Sequence, residues 1–137
     1  MSTVSRDKLK VRGKKRLVNS FKYAFQGLKY AFKYEQNLTV HFIATILVVI
    51  FGIYFKISTV EWLFLFLMIG LVVATELINT SIEATIDLIT DQINPIAKVA
   101  KDTAAAAVLV FGFVALITGL VIFVPKVMGV FLWKVAL

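Results

Sequence analysis

The chain has 137 residues, of which 60% are hydrophobic, and this is too apolar for an ordinary soluble domain of that length. It carries a net charge of +7, with ten of its 15 Lys and Arg residues in residues 1–37. It has no Cys, which excludes disulfides and thiolate metal sites. The composition therefore indicates an integral membrane protein whose basic end contacts anionic lipid headgroups rather than nucleic acid.

The first 35 residues divide into two segments. Residues 1–15 are polar, basic and without hydrophobic periodicity, which predicts a flexible tail. In residues 16–35, apolar side chains recur at three- and four-residue steps and the lysines lie away from that stripe. This pattern predicts an amphipathic helix that lies in the membrane interface; the alternative is a soluble helix that packs on its own protein.

Three apolar segments follow, at about 38–55, 60–79 and 104–124, each near the 20 residues that a membrane helix needs. The second helix is expected to continue past the membrane to residue 89, where polar residues and Pro95 break it. The third is expected to open at Lys101 and to end at Pro125. We therefore predict an all-α membrane protein: one domain over 16–137, with an N-terminal amphipathic surface helix and three transmembrane helices.

The basic residues also predict the orientation of these helices. Because positive charge collects on the cytoplasmic side, the N-terminus and the connection 80–103 are expected in the cytoplasm of a bacterial cell. The turn at 56–59 and the C-terminus are then expected outside.

The second helix leaves the membrane with a row of polar residues. Glu76, Asn79, Glu83 and Asp87 share one face, because their spacing keeps them within about 80° of each other at 100° per residue. Glu83 and Asp87 could simply be solvated, and Asn79 could join two helices by a hydrogen bond. Glu76 lies at the edge of the hydrocarbon, where a carboxylate is costly and indicates a functional site.

Three more groups are expected at the same cytoplasmic level: Glu35, Lys101 and Asp102. Carboxylates suit Mg²⁺ that also binds substrate phosphates, and a lysine suits the phosphates themselves. The sequence therefore predicts a metal–phosphate site at the membrane edge. His41 is interpreted as hydrogen-bonded to a neighbour or a headgroup rather than catalytic.

Two other classes of function remain open on the residues alone. A small proton-coupled transporter also needs an intramembrane carboxylate, but transporter sites lie near the bilayer midplane. A structural or scaffold protein would not need so many polar groups at one level.

The run ELINTSIEATID at 76–87 resembles the signature of a family of small bacterial membrane kinases, which contains prokaryotic diacylglycerol kinases and undecaprenol kinases. The resemblance extends to RLVNSFKYAFQGLKYAFKYE at 16–35 and to AKDTAAAAVL at 100–109. It implies phosphorylation of a lipid hydroxyl by ATP with Mg²⁺, in the bacterial cytoplasmic membrane, by a homotrimer.

The resemblance also implies a role for each matched residue. Glu76 matches the catalytic base, Glu35 and Glu83 match the metal ligands, and Asn79 matches the polar support beside the base. The resemblance implies that four residues contact the nucleotide: Lys101, Asp102, Arg16 and Tyr23. Asp87 is a further supporting polar residue. The stretch EQNLTVHF at 35–42 is similar to the Gram-positive branch, which implies undecaprenol as the lipid substrate and diacylglycerol as the alternative.

Overall fold

The computed structural model describes residues 13–135, with side chains as far as residue 130. It contains four α-helices: α1 Lys14–Tyr34, α2 Gln36–Tyr54, α3 Thr59–Ile89 and α4 Pro95–Val135. The last three are long and apolar enough to cross a membrane. The predicted all-helical fold class is therefore confirmed. Residues 1–12, most of the predicted tail, lie outside the described part of the chain.

α3 is the helix on which the other two spanning helices pack. It contacts α4 most extensively and α2 to a smaller extent. Its 31 residues make it about 46 Å long at 1.5 Å per residue, which exceeds the roughly 30 Å hydrocarbon core of a bilayer. α3 is therefore longer than a helix needs to be to cross the membrane.

The turn between α2 and α3 is built from local backbone hydrogen bonds. Lys56 has the left-handed φ of 49° that commonly ends a helix, and its N–H bonds to the Ile53 carbonyl at 3.2 Å. The Ile57 N–H bonds to the Gly52 carbonyl at 3.1 Å, which completes the pattern. Ser58 then caps α3: its hydroxyl accepts from the Glu61 N–H, and its own N–H donates to the Glu61 carboxylate at 2.6 Å.

Side chains at this turn form the small buried core of the spanning helices. Ile57, Leu65 and Ile122 are buried together. Nearby, the Phe123 ring of α4 lies 6.3 Å from Phe51 and 6.2 Å from Phe55 between ring centroids. The three helices therefore meet at this end of the bundle.

Both ends of α4 differ from the prediction. The helix begins at Pro95 rather than near Lys101, because proline suits the first turn of a helix and the Asn94 side chain accepts the Ile96 N–H at 2.8 Å. It also continues past Pro125, where the third span was expected to end. Proline is tolerated inside membrane helices, and here the next residue, Lys126, makes an ion pair of 2.9 Å with Glu61 of α3.

Candidate functional site

Glu76 is the most deeply buried charged residue in the described part of the chain, with 1% of its surface exposed. It lies in the second half of α3, on the same helix face as the buried residues Val72, Asn79 and Thr80. One of its carboxylate oxygens, Oε1, is buried and has no hydrogen-bond partner among the described residues. Buried polar atoms are nearly always paired, so this oxygen requires an explanation.

His41 of α2 is the residue that approaches this oxygen. Its Nε2 atom lies 3.3 Å from Glu76 Oε1, an ion-pair distance, but the two groups are not aligned as a hydrogen bond. The imidazole is 28% exposed, so it forms a partly accessible border to a buried carboxylate. The contact also shows that the start of α2 lies beside the second half of α3.

Asn79 and Glu83 form the next polar pair along α3. The Asn79 side-chain amide donates a hydrogen bond of 3.1 Å to Glu83 Oε1. Asn79 is 6% exposed, and its side-chain carbonyl oxygen is the second buried acceptor without a partner in the described residues. The amide N–H therefore orients Glu83, and the amide oxygen can still accept a hydrogen bond from another group.

A third carboxylate, Glu35, lies at the start of α2, where it occupies the N-cap position without making a side-chain cap bond. Glu35 and Glu83 both lie near enough to repel the Glu76 carboxylate, and His41 Nε2 lies within ion-pair distance of it. Three acidic groups thus lie close enough to interact electrostatically.

This arrangement fits a divalent cation. The described residues contain no group of three or more His, Cys, Asp or Glu side chains arranged to hold a metal ion by themselves. Mg²⁺ is commonly held by one or two carboxylates together with substrate phosphates and water, and it does not need a complete protein cage. A cation held by Glu35 and Glu83 would also offset the repulsion that both exert on Glu76.

A cavity of about 510 Å³ opens beside these groups. Its polar wall is formed by Asn37, His41, Glu76 and Asn79, and its other wall by apolar side chains of α4. A second space of about 510 Å³, which we call the apolar groove, continues from it between α2 and α4 over a floor of α3. The two share His41, Gly112 and Leu116, so the buried carboxylate lies next to a long apolar surface.

The remaining predicted polar residues of α3 and α4 form a separate cluster. Lys101 pairs with Asp87, and Lys98 pairs with Asp102. These side chains border a space of about 340 Å³ at the turn between α3 and α4. In the described residues, no hydrogen bond or ion pair joins this cluster to Glu76.

Arg16 and Tyr23 both lie on α1, and both are exposed. Their predicted nucleotide-side role remains a prediction.

Sequence reasoning did not connect His41 with Glu76. The available signal was the short turn at 55–58, since two helices joined in this way run antiparallel and bring the start of the first beside the far part of the second. The sequence predicts a neighbour or a headgroup as the partner of His41, and in the structure the buried carboxylate of Glu76 is the neighbour within reach.

Comparison with known proteins gives consistent matches. A family model described as "Prokaryotic diacylglycerol kinase" matches residues 22–123. An undecaprenol kinase from Bacillus subtilis is 45% identical over 111 residues, which cover 81% of this chain and 90% of that one. A diacylglycerol kinase from Synechocystis is 33% identical over 82% of this chain and 65% of the relative. Another from Helicobacter pylori is 37% identical over 74% of this chain and 79% of the relative.

Proposed function

Because the chain belongs to the prokaryotic diacylglycerol kinase family, we propose that it is a lipid kinase that transfers a phosphoryl group from ATP to the hydroxyl of undecaprenol. The choice of lipid is supported by the 45% identity to a protein named undecaprenol kinase. The alternative substrate is diacylglycerol, which is supported by relatives named for it at 33% and 37% identity.

The observation that carries the proposal is the unpaired Oε1 atom of Glu76. A buried acceptor without a donor costs about 1–3 kcal/mol. The atom borders a cavity that continues into the apolar groove, so a lipid lying in that groove could present its hydroxyl to it. A hydroxyl bound there would supply the missing donor and place its proton next to a base.

The reaction then follows from the position of Glu76. Its carboxylate accepts the hydroxyl proton as the lipid oxygen bonds to the γ-phosphorus of ATP. The bond from that phosphorus to the oxygen bridging the β-phosphate breaks, and ADP leaves with the electron pair. Positioning and charge neutralisation are most of what such a transfer requires from a protein.

Two carboxylates next to Glu76 are the proposed ligands for Mg²⁺. Glu35 and Glu83 would hold it together with ATP phosphates, and the Asn79 amide fixes the Glu83 carboxylate for this task. When bound, the ion would supply neutralisation of the phosphate charge.

The second polar cluster is the proposed nucleotide side of the site. Lys101 would contact phosphate as a point charge once it leaves Asp87, and Asp102 would order the cluster through Lys98. Arg16 and Tyr23 of α1 are proposed to contact the nucleotide as well.

The chain is a multi-pass membrane protein of a membrane kinase family. We further propose that it lies in the bacterial cytoplasmic membrane with its N-terminus and active site on the cytoplasmic side. The excess of Lys and Arg before the first spanning helix supports this orientation. A homotrimeric assembly is proposed from the family resemblance.

Transfer of radiolabel from ATP to undecaprenol in mixed micelles tests the proposal. The wild-type protein should label the lipid, and E76Q should lose about 10²–10⁴-fold in rate because it cannot accept the proton. E61Q is the matched control: it makes the same chemical change at the other end of α3, far from the cavity, and should retain turnover. An E76Q variant within a few fold of wild type would contradict the assignment.

A further inference from the structure

His41 lies beside the proposed base, but the reaction described above gives it no role. It is the sole histidine of the chain, and its Nε2 atom lies 3.3 Å from the buried oxygen of Glu76. Glu35 and Glu83 also act on Glu76, and both are carboxylates that repel it. The imidazole is therefore the polar side chain that favours the carboxylate in this position.

The same imidazole also lies where the polar cavity meets the apolar groove. It borders both spaces, with Gly112 and Leu116 of α4 on the opposite side. A lipid chain that lies in the groove with its hydroxyl at Glu76 would therefore contact this ring. His41 is thus close to the base and to the route by which the hydroxyl would arrive.

A carboxylate base needs a fixed orientation, because the reacting atoms must lie within about 3–3.5 Å and be aligned. The two neighbouring carboxylates push on Glu76, and no described hydrogen bond holds its Oε1 atom. A histidine with its proton on Nε2 can hold this oxygen weakly and leave it available to a second donor.

We infer that His41 is a positioning residue that orients the Glu76 carboxylate toward the lipid hydroxyl. This inference rests on the proposed function, since it assigns His41 a task only if Glu76 is the base. His41 acts through Glu76 and does not itself take part in proton transfer. Its removal should therefore lower kcat and leave the KM for ATP unchanged, because the nucleotide is held by other groups.

Kinetics of four variants on undecaprenol in mixed micelles test the inference. H41L removes the N–H and should lower kcat by about 10²-fold, which is the loss in rate that a small misplacement of a reacting group can cause. H41Q keeps an N–H donor and should recover most of that loss. I43A alters an exposed α2 side chain that borders neither the cavity nor the apolar groove, and it should resemble wild type.

The fourth variant, H41L/E76Q, separates positioning from a structural role. If His41 acts through Glu76, the double variant should be no slower than E76Q alone, because groups that act as a unit are not additive. The inference is overturned if H41L stays within a few fold of wild type, if H41Q is as slow as H41L, or if the double variant shows both losses in full.

Folding and the proposed function have separate controls. Should H41L fail to purify as a folded protein, H41M serves in its place, since its flexible apolar side chain adapts to the space. Normal turnover by E76Q would overturn the proposed function and this inference with it. An inactive E76Q beside a fully active H41L would overturn the inference alone.

Discussion

The side-chain amide of Asn79 donates a hydrogen bond of 3.1 Å to the carboxylate of Glu83, one turn further along α3. The donor is almost completely buried, and the acceptor lies toward the exposed end of the helix. A buried amide with few alternative positions therefore fixes a carboxylate that would otherwise sample several rotamers. This pair connects the buried part of the site with its proposed metal-binding part.

The Asn79–Glu83 bond leads to a prediction about Mg²⁺. N79A should raise the Mg²⁺ concentration for half-maximal activity by about 10–100-fold, the usual cost of removing a group that orients a metal ligand. The measurement is a Mg²⁺ titration of kinase activity at saturating ATP.

A neighbouring buried residue supplies the control for N79A. The Thr80 hydroxyl donates to the backbone carbonyl of Glu76 rather than to a carboxylate, so T80V should leave the Mg²⁺ requirement unchanged. Equal Mg²⁺ titration curves for N79A and wild type would show that the bond does not serve the metal site.

Glu35 and Glu83 should act jointly on one ion. Glu35 is the N-cap of α2 and Glu83 lies on α3, yet both interact electrostatically with Glu76. Each single Ala variant should therefore raise the Mg²⁺ requirement, and the double variant should be little worse than the worse single one, because two ligands of one ion are not additive. The Mg²⁺ titration for each of the three variants measures this, and simple addition of the two effects would point to two independent sites.

The residues that break or build helices explain how far the fold could be predicted. Apolar runs of about 20 residues with few charges predict spanning helices directly, and Ser58 at the start of α3 is a strong capping signal. Pro125 misled the prediction, because proline ends most helices in water but is tolerated in a membrane helix held by its neighbours. The ion pair of Lys126 with Glu61 is one such support, and it depends on two helices that are distant in sequence.

The candidate site also has features that the sequence predicts and features that depend on how the helices pack. The stripe on α3 could be predicted, because its residues share one helix and a fixed period. The short turn between α2 and α3 predicts that the start of α2 lies near the second half of α3, but the contact between the Glu76 and His41 side chains depends on how the two helices cross. The pairing of Lys101 with Asp87 depends similarly on where α4 begins, which is earlier than the sequence indicates.

Gly52 should be required for the packing of the turn between α2 and α3. A Cβ atom at this position would lie 2.6 Å from the Trp62 ring, which is rigid and held by stacking on Phe66. G52A should therefore destabilise the protein by about 1–3 kcal/mol, the cost of overpacking a filled space.

Thermal unfolding in detergent measures this cost, with G70A as the control. Gly70 lies in the middle of α3 with open space around its Cα, so an added methyl group meets nothing there. A lower Tm for G52A and an unchanged Tm for G70A are the expected results. Equal Tm values for the two variants would mean that the ring of Trp62 can move away.

The last prediction concerns the choice of lipid. An isoprenyl chain that enters the apolar groove moves from one apolar environment, the bilayer, into another. Little transfer energy is then available to distinguish one chain from another. Selectivity should arise at the few atoms around the hydroxyl, where diacylglycerol carries two ester carbonyls and undecaprenol carries none.

Only a few polar groups border the cavity at that point, namely Asn37, His41, Glu76 and Asn79 in the described residues. Glu76 presents a carboxylate oxygen, which only accepts, and one of the two N–H groups of the Asn79 amide is used by Glu83. Few donors are left to replace the hydration that the two ester carbonyls would lose, and that loss is costly. We expect undecaprenol to exceed diacylglycerol in kcat/KM, and moderate shortening of the isoprenyl chain to cost less than about 3 kcal/mol, the scale of one pocket contact. Assays in matched micelles at equal surface concentration measure both ratios, and faster turnover of diacylglycerol would reverse the assignment of the substrate.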